Sequence, residues 1–395
     1  MNDTEKYFLH LISSHLNNSP PLPNNEADWM GVFKLGELHN LSAMLCLSIK
    51  KLSPENRPPA KIMSYFNQAL GMTIQSYENK VSGIDLLTKL FNENKINHLF
   101  VKGAAIRSYY PVAEVRTSGD TDVIVESKNL NKAADILVEN GFTLSQRTDI
   151  QNVLFYKGEE FEIKNYIDGV NKKCEEFFAN PFNGMTENIG ENAYSLLPTY
   201  HLAYVISHLL RHLTTGGVGI RQLIDVDVLL RSGKTDINKL FDIARELGVE
   251  KSFKVVISLS KEYFDTPVDI DFKVNAELKN SLEKVILTGG VFGFAISDNG
   301  TSRLIRSLNT SKKQGVLVSL RAFLSMIFVD KEYLYRVYNY SDRHHFLLPL
   351  AFFNRLFDAV FKRGKSNAKA ISNIFNNKET AIMINDIINE LEIEM

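Results

Sequence analysis

The segment Gly119-Asp120-Thr121-Asp122-Val123-Ile124-Val125 constrains this chain more than any other. Its three consecutive β-branched residues read as a buried strand. Residues two apart in a strand point to the same face, so Asp120 and Asp122 project together. Adjacent carboxylates repel unless a cation lies between them. Oxygen ligands of this kind suit a hard divalent ion, Mg²⁺ or Mn²⁺. Upstream, His98-Leu99-Phe100-Val101 is strand-like and runs into Lys102-Gly103 and the small residues Ala104-Ala105. A glycine where a strand hands over to a helix lets backbone N–H groups approach a phosphate. Together these features outline a nucleoside triphosphate site. The bland alternative is a solvated turn carrying two unrelated aspartates.

The order Lys-Gly, short helix, Tyr-Pro, Arg, Gly-Asp-x-Asp and apolar strand resembles the DNA polymerase beta-type nucleotidyltransferase superfamily. More narrowly, it resembles the bacterial family of uncharacterised nucleotidyltransferases. The matching residues are Lys102, Gly103, Tyr110, Pro111, Arg116, Gly119, Asp120 and Asp122. A less specific likeness extends over residues 28–49 and 201–230. The superfamily usually has Gly-Gly or Gly-Ser at the turn, whereas this chain has Gly103-Ala104. Lys102 or backbone groups must therefore replace the missing serine hydroxyl. The resemblance implies an α+β fold, with a small mixed β-sheet core flanked by largely helical N- and C-terminal regions. It also implies metal-dependent transfer of a nucleoside monophosphate from an NTP to an acceptor hydroxyl or phosphate. Gly119 joins the nucleotide-binding set on the same ground.

The superfamily pattern implies a third carboxylate on a neighbouring strand. Val153-Leu154-Phe155-Tyr156 and Phe161-Glu162-Ile163 are strand-like, with Lys157-Gly158-Glu159 as a hairpin turn between them. Glu162 is the choice, and Glu160 competes from the same face. An ordinary wet face made of Glu160, Glu162 and Lys164 is the alternative. In the two-ion scheme, Asp120 and Asp122 hold both ions, and Glu162 holds the catalytic one and assists deprotonation of the acceptor. Lys102 and Arg116 are candidates for the triphosphate charge. Arg116 reads equally well as a structural partner of Asp120 or Glu114.

His208 and His212 are four apart and share a helix face, the spacing of a two-histidine metal site. With no third ligand nearby in sequence, a structural or substrate-facing role is the better reading. Gly216-Gly217-Val218-Gly219 precedes a helix without a following Lys-Ser/Thr, so it reads as a connector rather than a phosphate loop. Arg221 and Asp225 have the spacing of a pair along one helix. The resemblance makes this segment a wall of the nucleotide or acceptor pocket, with His208, His212 and Arg221 as second-rank site residues.

Three regions follow: helical residues 1–95, the α/β core 96–198 and helical residues 199–395. Helices are expected over 4–17 and 28–50, the latter capped by Asp28. One or two more cover 60–95, with Gly71 and Gly83 as weak points, and another runs from Lys128 to Asn140. His39 reads as a packed core histidine. The C-terminal third carries Arg303, Arg306, Lys312, Lys313, Arg321 and the aromatic run from Tyr333 to Tyr340. A helix from Pro349 to Arg363 is expected there, and helix packing is preferred over an RNA or membrane surface.

Net charge is -1 and the sequence pI about 6.8, so no basic excess advertises a polynucleotide partner. The favoured acceptor is a small molecule or peptide product, ahead of tRNA or protein. The rival readings are a tRNA-modifying, toxin-like transferase and a noncatalytic nucleotide- or partner-binding module on the same fold. Cys46 and Cys174 are the only cysteines and make no disulfide framework. With no secretion signal and no apolar run of membrane-spanning length, a cytoplasmic protein without stable membrane insertion is expected. The base, the acceptor's identity, the oligomeric state and the pathway are left open by the sequence.

Overall fold

The computed structural model describes residues 1–290, Ile305, Leu308, 345–357 and 378–394. Helix α1 (Asp3–Leu16) opens on a capping box, in which the Asn2 side chain accepts from Glu5 N and the Glu5 side chain accepts from Asn2 N. Asp28 caps α2 (Trp29–Leu38) by accepting from Gly31 N at 2.9 Å. The single helix expected over 28–50 is broken. Asn40 adopts φ +53°, and Leu41 N turns back to Gly36 O at 2.7 Å before α3 (Ser42–Lys50) begins. His39 is the buried core histidine, 3.1 Å from Leu287 O. Helix α4 (Ala60–Glu93) runs unbroken for 34 residues. A Cβ at its Gly83 would lie 2.4 Å from the Phe161 ring, so glycine lets the helix settle onto the sheet.

The seven-stranded sheet comprises β1 (His98–Phe100), β2 (Asp120–Val125), β3 (Thr143–Arg147), β4 (Gln151–Tyr156), β5 (Glu159–Lys164), β6 (Thr186–Asn188) and β7 (Ala193–Leu196), in the order β3-β4-β5-β2-β1-β7-β6. It is mixed, with β2/β5 and β1/β7 parallel and the other pairs antiparallel. The β4–β5 hairpin turns on Lys157 (φ +49°) and Gly158 (φ +82°), as a type I′ turn requires. Between β1 and β2 lies the short α5 (Gly103–Ile106), and α6 (Leu130–Glu139) packs beside β4 and β5. Helix α7 (Lys172–Phe177) follows β5.

The C-terminal part contains α8 (Pro198–Thr215), α9 (Ile220–Arg231), α10 (Ile237–Glu246), α11 (Glu250–Phe264) and α12 (Ala276–Thr288). Two further helical stretches are Leu348–Phe357 and Lys378–Glu390. The protein is α+β, with helices on both the N- and C-terminal sides of the sheet. The expected helix from Pro349 is described as far as Phe357. Arg303, Arg306, Lys312, Lys313, Arg321 and the run from Tyr333 to Tyr340 lie outside the described residues.

Alternation along the strands divides the interior. Val123, Val125, Phe161 and Ile163 face a core shared with α6 and the end of α4. Leu99, Val101 and Ile124 face a larger core that α1, α3, α8, α9, α11 and α12 fill together. The helices at the two ends of the chain thus share one interior. Asn17 in the turn after α1 donates to Phe264 O at 3.0 Å, and Arg231 of α9 reaches Asn17 at 2.8 Å. Both cysteines are buried and free. Among the described residues, no helix is long and apolar enough to cross a membrane.

Candidate active site

Asp120 and Asp122 lie on the same side of β2 as Ile124, the face that α8 and α9 cover. Parallel pairing sets Asp120 opposite Glu160 and Asp122 opposite Glu162. The structure brings Asp120, Asp122 and Glu162 together, with one oxygen from each within 4.8 Å of the others. Glu160 stands beside them outside that group. Burial raises its carboxyl pKa, and the neighbouring Glu162 and Asp120 charges raise it further. Three carboxylates of this kind form a hard oxygen donor set that fits Mg²⁺ or Mn²⁺.

Two ammonium groups meet this cluster. Lys102 Nζ is 3.0 Å, and Lys164 Nζ 2.7 Å, from the same oxygen, Asp122 Oδ1. Lys164 also contacts Glu162 Oε2. Burial opposes ionisation of Asp122, but the two lysines outweigh it and hold the carboxyl at about 2. Burial likewise opposes a charge on Lys164, and Asp122 and Glu162 overcome it, so its pKa is raised. Lys102 sits at φ +52°, ψ -130°, a conformation that favours glycine. A non-glycine residue there stores of order 1–3 kcal/mol of strain. The ion pair with Asp122 helps to hold it.

Arg116 does not pair with Asp120 or Glu114. It is buried, and its fork grips Asp225 of α9, with Nε 3.2 Å from Oδ1 and Nη2 2.7 Å from Oδ2. Tyr110 OH donates to the same Asp225 Oδ1 at 2.6 Å. Asp225 is therefore the partner of Arg116 rather than of Arg221, because buried Arg116 and Tyr110 converge on it. Arg221 turns to Thr117 instead, with Nη1 3.2 Å from its carbonyl oxygen. Burial lowers its pKa to about 10, and the nearby Arg116 charge adds to the effect. Gly103 is pressed against this pair: a Cβ there would lie 2.3 Å from Arg116 Nη1. Gly119 is exposed, and its carbonyl accepts from Lys80 at 3.4 Å.

His208 and His212 line the same cavity as the carboxylates. Their Nε2 atoms are 2.9 Å apart. His208 Nδ1 lies 3.3 Å from Asp168 Oδ1, an oxygen that also accepts from Tyr204 OH at 3.0 Å. Arg211 closes on the other oxygen of Asp168. Burial would raise the Asp168 pKa, but contact with His208 and the Lys102 and Arg211 charges hold it far below the usual carboxylate range. Burial lowers the pKa of both histidines, and Lys102 lowers them further. The cavity measures about 320 Å³ and is lined by Lys102, Gly103, Arg116, Asp120, Glu162 and Lys164 from the sheet side. Asp168, His208, Arg211, His212, Arg221 and Asp225 also line it. Gly216, Gly217 and Gly219 are absent from its lining. Gly219 instead lies against Gly290, whose oxygen a Cβ would meet at 2.0 Å.

A family model described as "uncharacterised nucleotidyltransferase" matches residues 25–265, from just before α2 to the end of α11. The chain belongs to the uncharacterised nucleotidyltransferase family. The match takes in the acidic cluster and every cavity residue named above. No curated protein matches the chain. Membership implies nucleotidyl transfer in general terms, with an NTP as substrate.

Sequence reasoning missed Asp168 and Arg211 as cavity residues, Tyr204 as a buried partner of Asp168, and Lys164 as a bridge between carboxylates. A signal existed for Lys164, because the alternation that selects Glu162 puts the residue two further on beside it. Asp168 follows the strand in an irregular segment, where no periodicity fixes the direction of a side chain.

Proposed function

We propose that the chain transfers a nucleoside monophosphate from an NTP to a hydroxyl or phosphate of a small-molecule acceptor. The observation that carries this reading is the convergence of Asp120, Asp122 and Glu162 at a cavity whose other walls hold Lys102, Lys164, Arg116 and Arg221. Such a site suits a polyanion and a divalent cation together. A bound Mg²⁺ or Mn²⁺ supplies Lewis-acid charge at the transferring phosphate. Asp120, Asp122 and Glu162 are the residues to hold it. Lys102 exchanges Asp122 for the triphosphate, as a point charge on a short turn. Arg221, half-buried and bound to a carbonyl rather than paired with a carboxylate, turns its positive charge to the same purpose. Arg116 acts from behind Gly103, fixed by Asp225. The Asp168–His208–His212 row lines the same cavity, near enough for the Lys102 charge to act on it, and serves the nucleotide or the acceptor.

A cavity of about 320 Å³ and a net charge of -1 support a small acceptor over tRNA. The presence of all three carboxylates supports catalysis over a module that only binds. Incubation of the chain with each α-labelled NTP, Mg²⁺ or Mn²⁺ and cell extract tests the reading. Label is expected in the small-molecule fraction. Label in RNA or protein overturns the acceptor class, and no transfer from any NTP overturns the activity.

A further inference from the structure

Lys164 lies between two of the carboxylates that the two-ion scheme assigns to metal. We infer that this chain engages its NTP with one divalent ion, and that the Lys164 ammonium stands in for the second. The inference rests on the nucleotidyltransferase reading above and specifies how its acidic cluster is used.

The first ground is position. Lys164 is two residues beyond Glu162 on β5, hence on the same face, and pairs in register with Ile124, two beyond Asp122. Its Nζ is 2.7 Å from Asp122 Oδ1 and in contact with Glu162 Oε2. It therefore bridges one carboxylate from each of the two strands, the task of an ion shared between them. The side chain is 9% exposed, so it is enclosed with the carboxylates rather than laid across the surface. A divalent ion in the same gap would sit within hydrogen-bond distance of an ammonium, where like charges repel strongly.

The second ground is what the lysines leave open. Both ammoniums fall on one oxygen of Asp122, Oδ1. Among the described residues, the Asp120 carboxylate accepts no hydrogen bond and joins no ion pair, and none of these contacts uses Asp122 Oδ2. Asp120 also lines the cavity, whereas Asp122 is 2% exposed and lies behind it. One hard ion then has ligands in Asp120, Asp122 Oδ2 and the other oxygen of Glu162, while Glu162 Oε2 holds Lys164. The two lysines also differ in freedom. Lys102 leaves the end of a strand at a turn, so it exchanges Asp122 for a phosphate. Lys164 is anchored within the sheet at two points.

Native mass spectrometry of the full chain with Mn²⁺ and the α,β-methylene analogues of ATP, GTP, CTP and UTP counts the ions directly. The wild-type complex is expected to carry one Mn²⁺ per bound analogue. Lys164→Ala is expected to carry two, because the vacated gap regains three carboxylates without a competing ammonium. Lys164→Arg, which keeps the charge, is expected to carry one. Circular dichroism melts of both variants establish that they fold. Two ions in the wild-type complex, or one in folded Lys164→Ala, overturn the inference while the nucleotidyltransferase reading stands. Should Lys164→Ala not fold, the wild-type and Lys164→Arg counts decide, and two ions in either refute it. Analogue bound with no ion in any form overturns the metal-dependent reading itself, and this inference with it.

Discussion

Asp225 accepts two hydrogen bonds from Arg116, at 2.7 and 3.2 Å, although 109 residues separate them. The pair ties α9 to the loop that delivers Asp120. Both side chains are at least nine-tenths buried, so neither charge has water to fall back on. Burial opposes the charge on Arg116, and Asp225 more than restores it, leaving its pKa raised. Removal of one partner from a buried pair typically costs about 3–5 kcal/mol, because the other is left uncompensated. Asp225→Ala is therefore expected to lower the unfolding free energy by about that amount in urea titrations. A loss of under about 1 kcal/mol would show that the pair has little structural role.

Gly103 is expected to make room for a phosphate; it lines the cavity, and the structure also sets Arg116 against it. A Cβ at 2.3 Å from Nη1 displaces a guanidinium that Asp225 pins from the other side. Gly103→Ala is thus expected to cost stability without any nucleotide present, by roughly 1–3 kcal/mol, and to weaken NTP binding as well. Thermal melts of the free protein and nucleotide titrations check both. An alanine variant with the wild-type melting temperature and weaker binding would restore the phosphate as the sole reason for the glycine.

Glu162 and Glu160 share a strand face, but only Glu162 is within 4.8 Å of both aspartates. Glu162→Gln is expected to remove turnover, with the loss in kcat, while Glu160→Gln keeps most of it. The double variant Asp120→Asn, Asp122→Asn is expected to lose Mg²⁺-dependent NTP binding and remain folded. Equal kcat losses for the two glutamate variants would reject the choice of Glu162. Unchanged NTP affinity in the double variant would reject the aspartates.

Acid should destabilise the fold well above the carboxylate range. Burial, the largest effect in each case, lowers the pKa of His15, His39 and His201 from 6.5 to about 4. Below pH 6.5 the unfolded chain takes up protons that the folded chain refuses, so stability falls as pH drops from 6.5 toward 4. Each histidine contributes up to about 1.4 kcal/mol per pH unit in that window. Asp122 acts lower: its stabilisation is intact above its ordinary value of 3.8 and fades as pH falls through about 2. Urea titrations at pH 7.5, 6, 5 and 4.5 should show a slope of up to about 4 kcal/mol per pH unit near pH 5. A flat profile across that range would mean that these histidines are protonated in the folded chain.

Local rules made the acidic strand legible. Val123-Ile124-Val125 and the glycine turn announce β2 and α5, and period-two alternation puts Asp120 with Asp122 and Glu160 with Glu162. The cap at Asp28 acts within three residues, so the start of α2 was readable too. The break at Asn40 was not, because a positive φ at asparagine depends on how α2 and α3 cross at Gly36, where a Cβ would meet Leu45 and Ser42 at 2.8 Å.

The sequence by itself determined which residues share a strand face and which strand carries the acidic pair, since those relations repeat every two residues along one backbone. Only the tertiary structure decided the partners. It joined Arg116 to Asp225 instead of Glu114, Arg221 to the Thr117 carbonyl instead of Asp225, and Asp168 to His208 and Arg211. Through the register between β2 and β5 it also brought Glu162, the glutamate that the sequence favours, within 4.8 Å of both aspartates. A buried charge must find an opposite charge or a polar group wherever the packed interior offers one. That choice depends on how α8, α9 and the sheet dock, which no local spacing encodes.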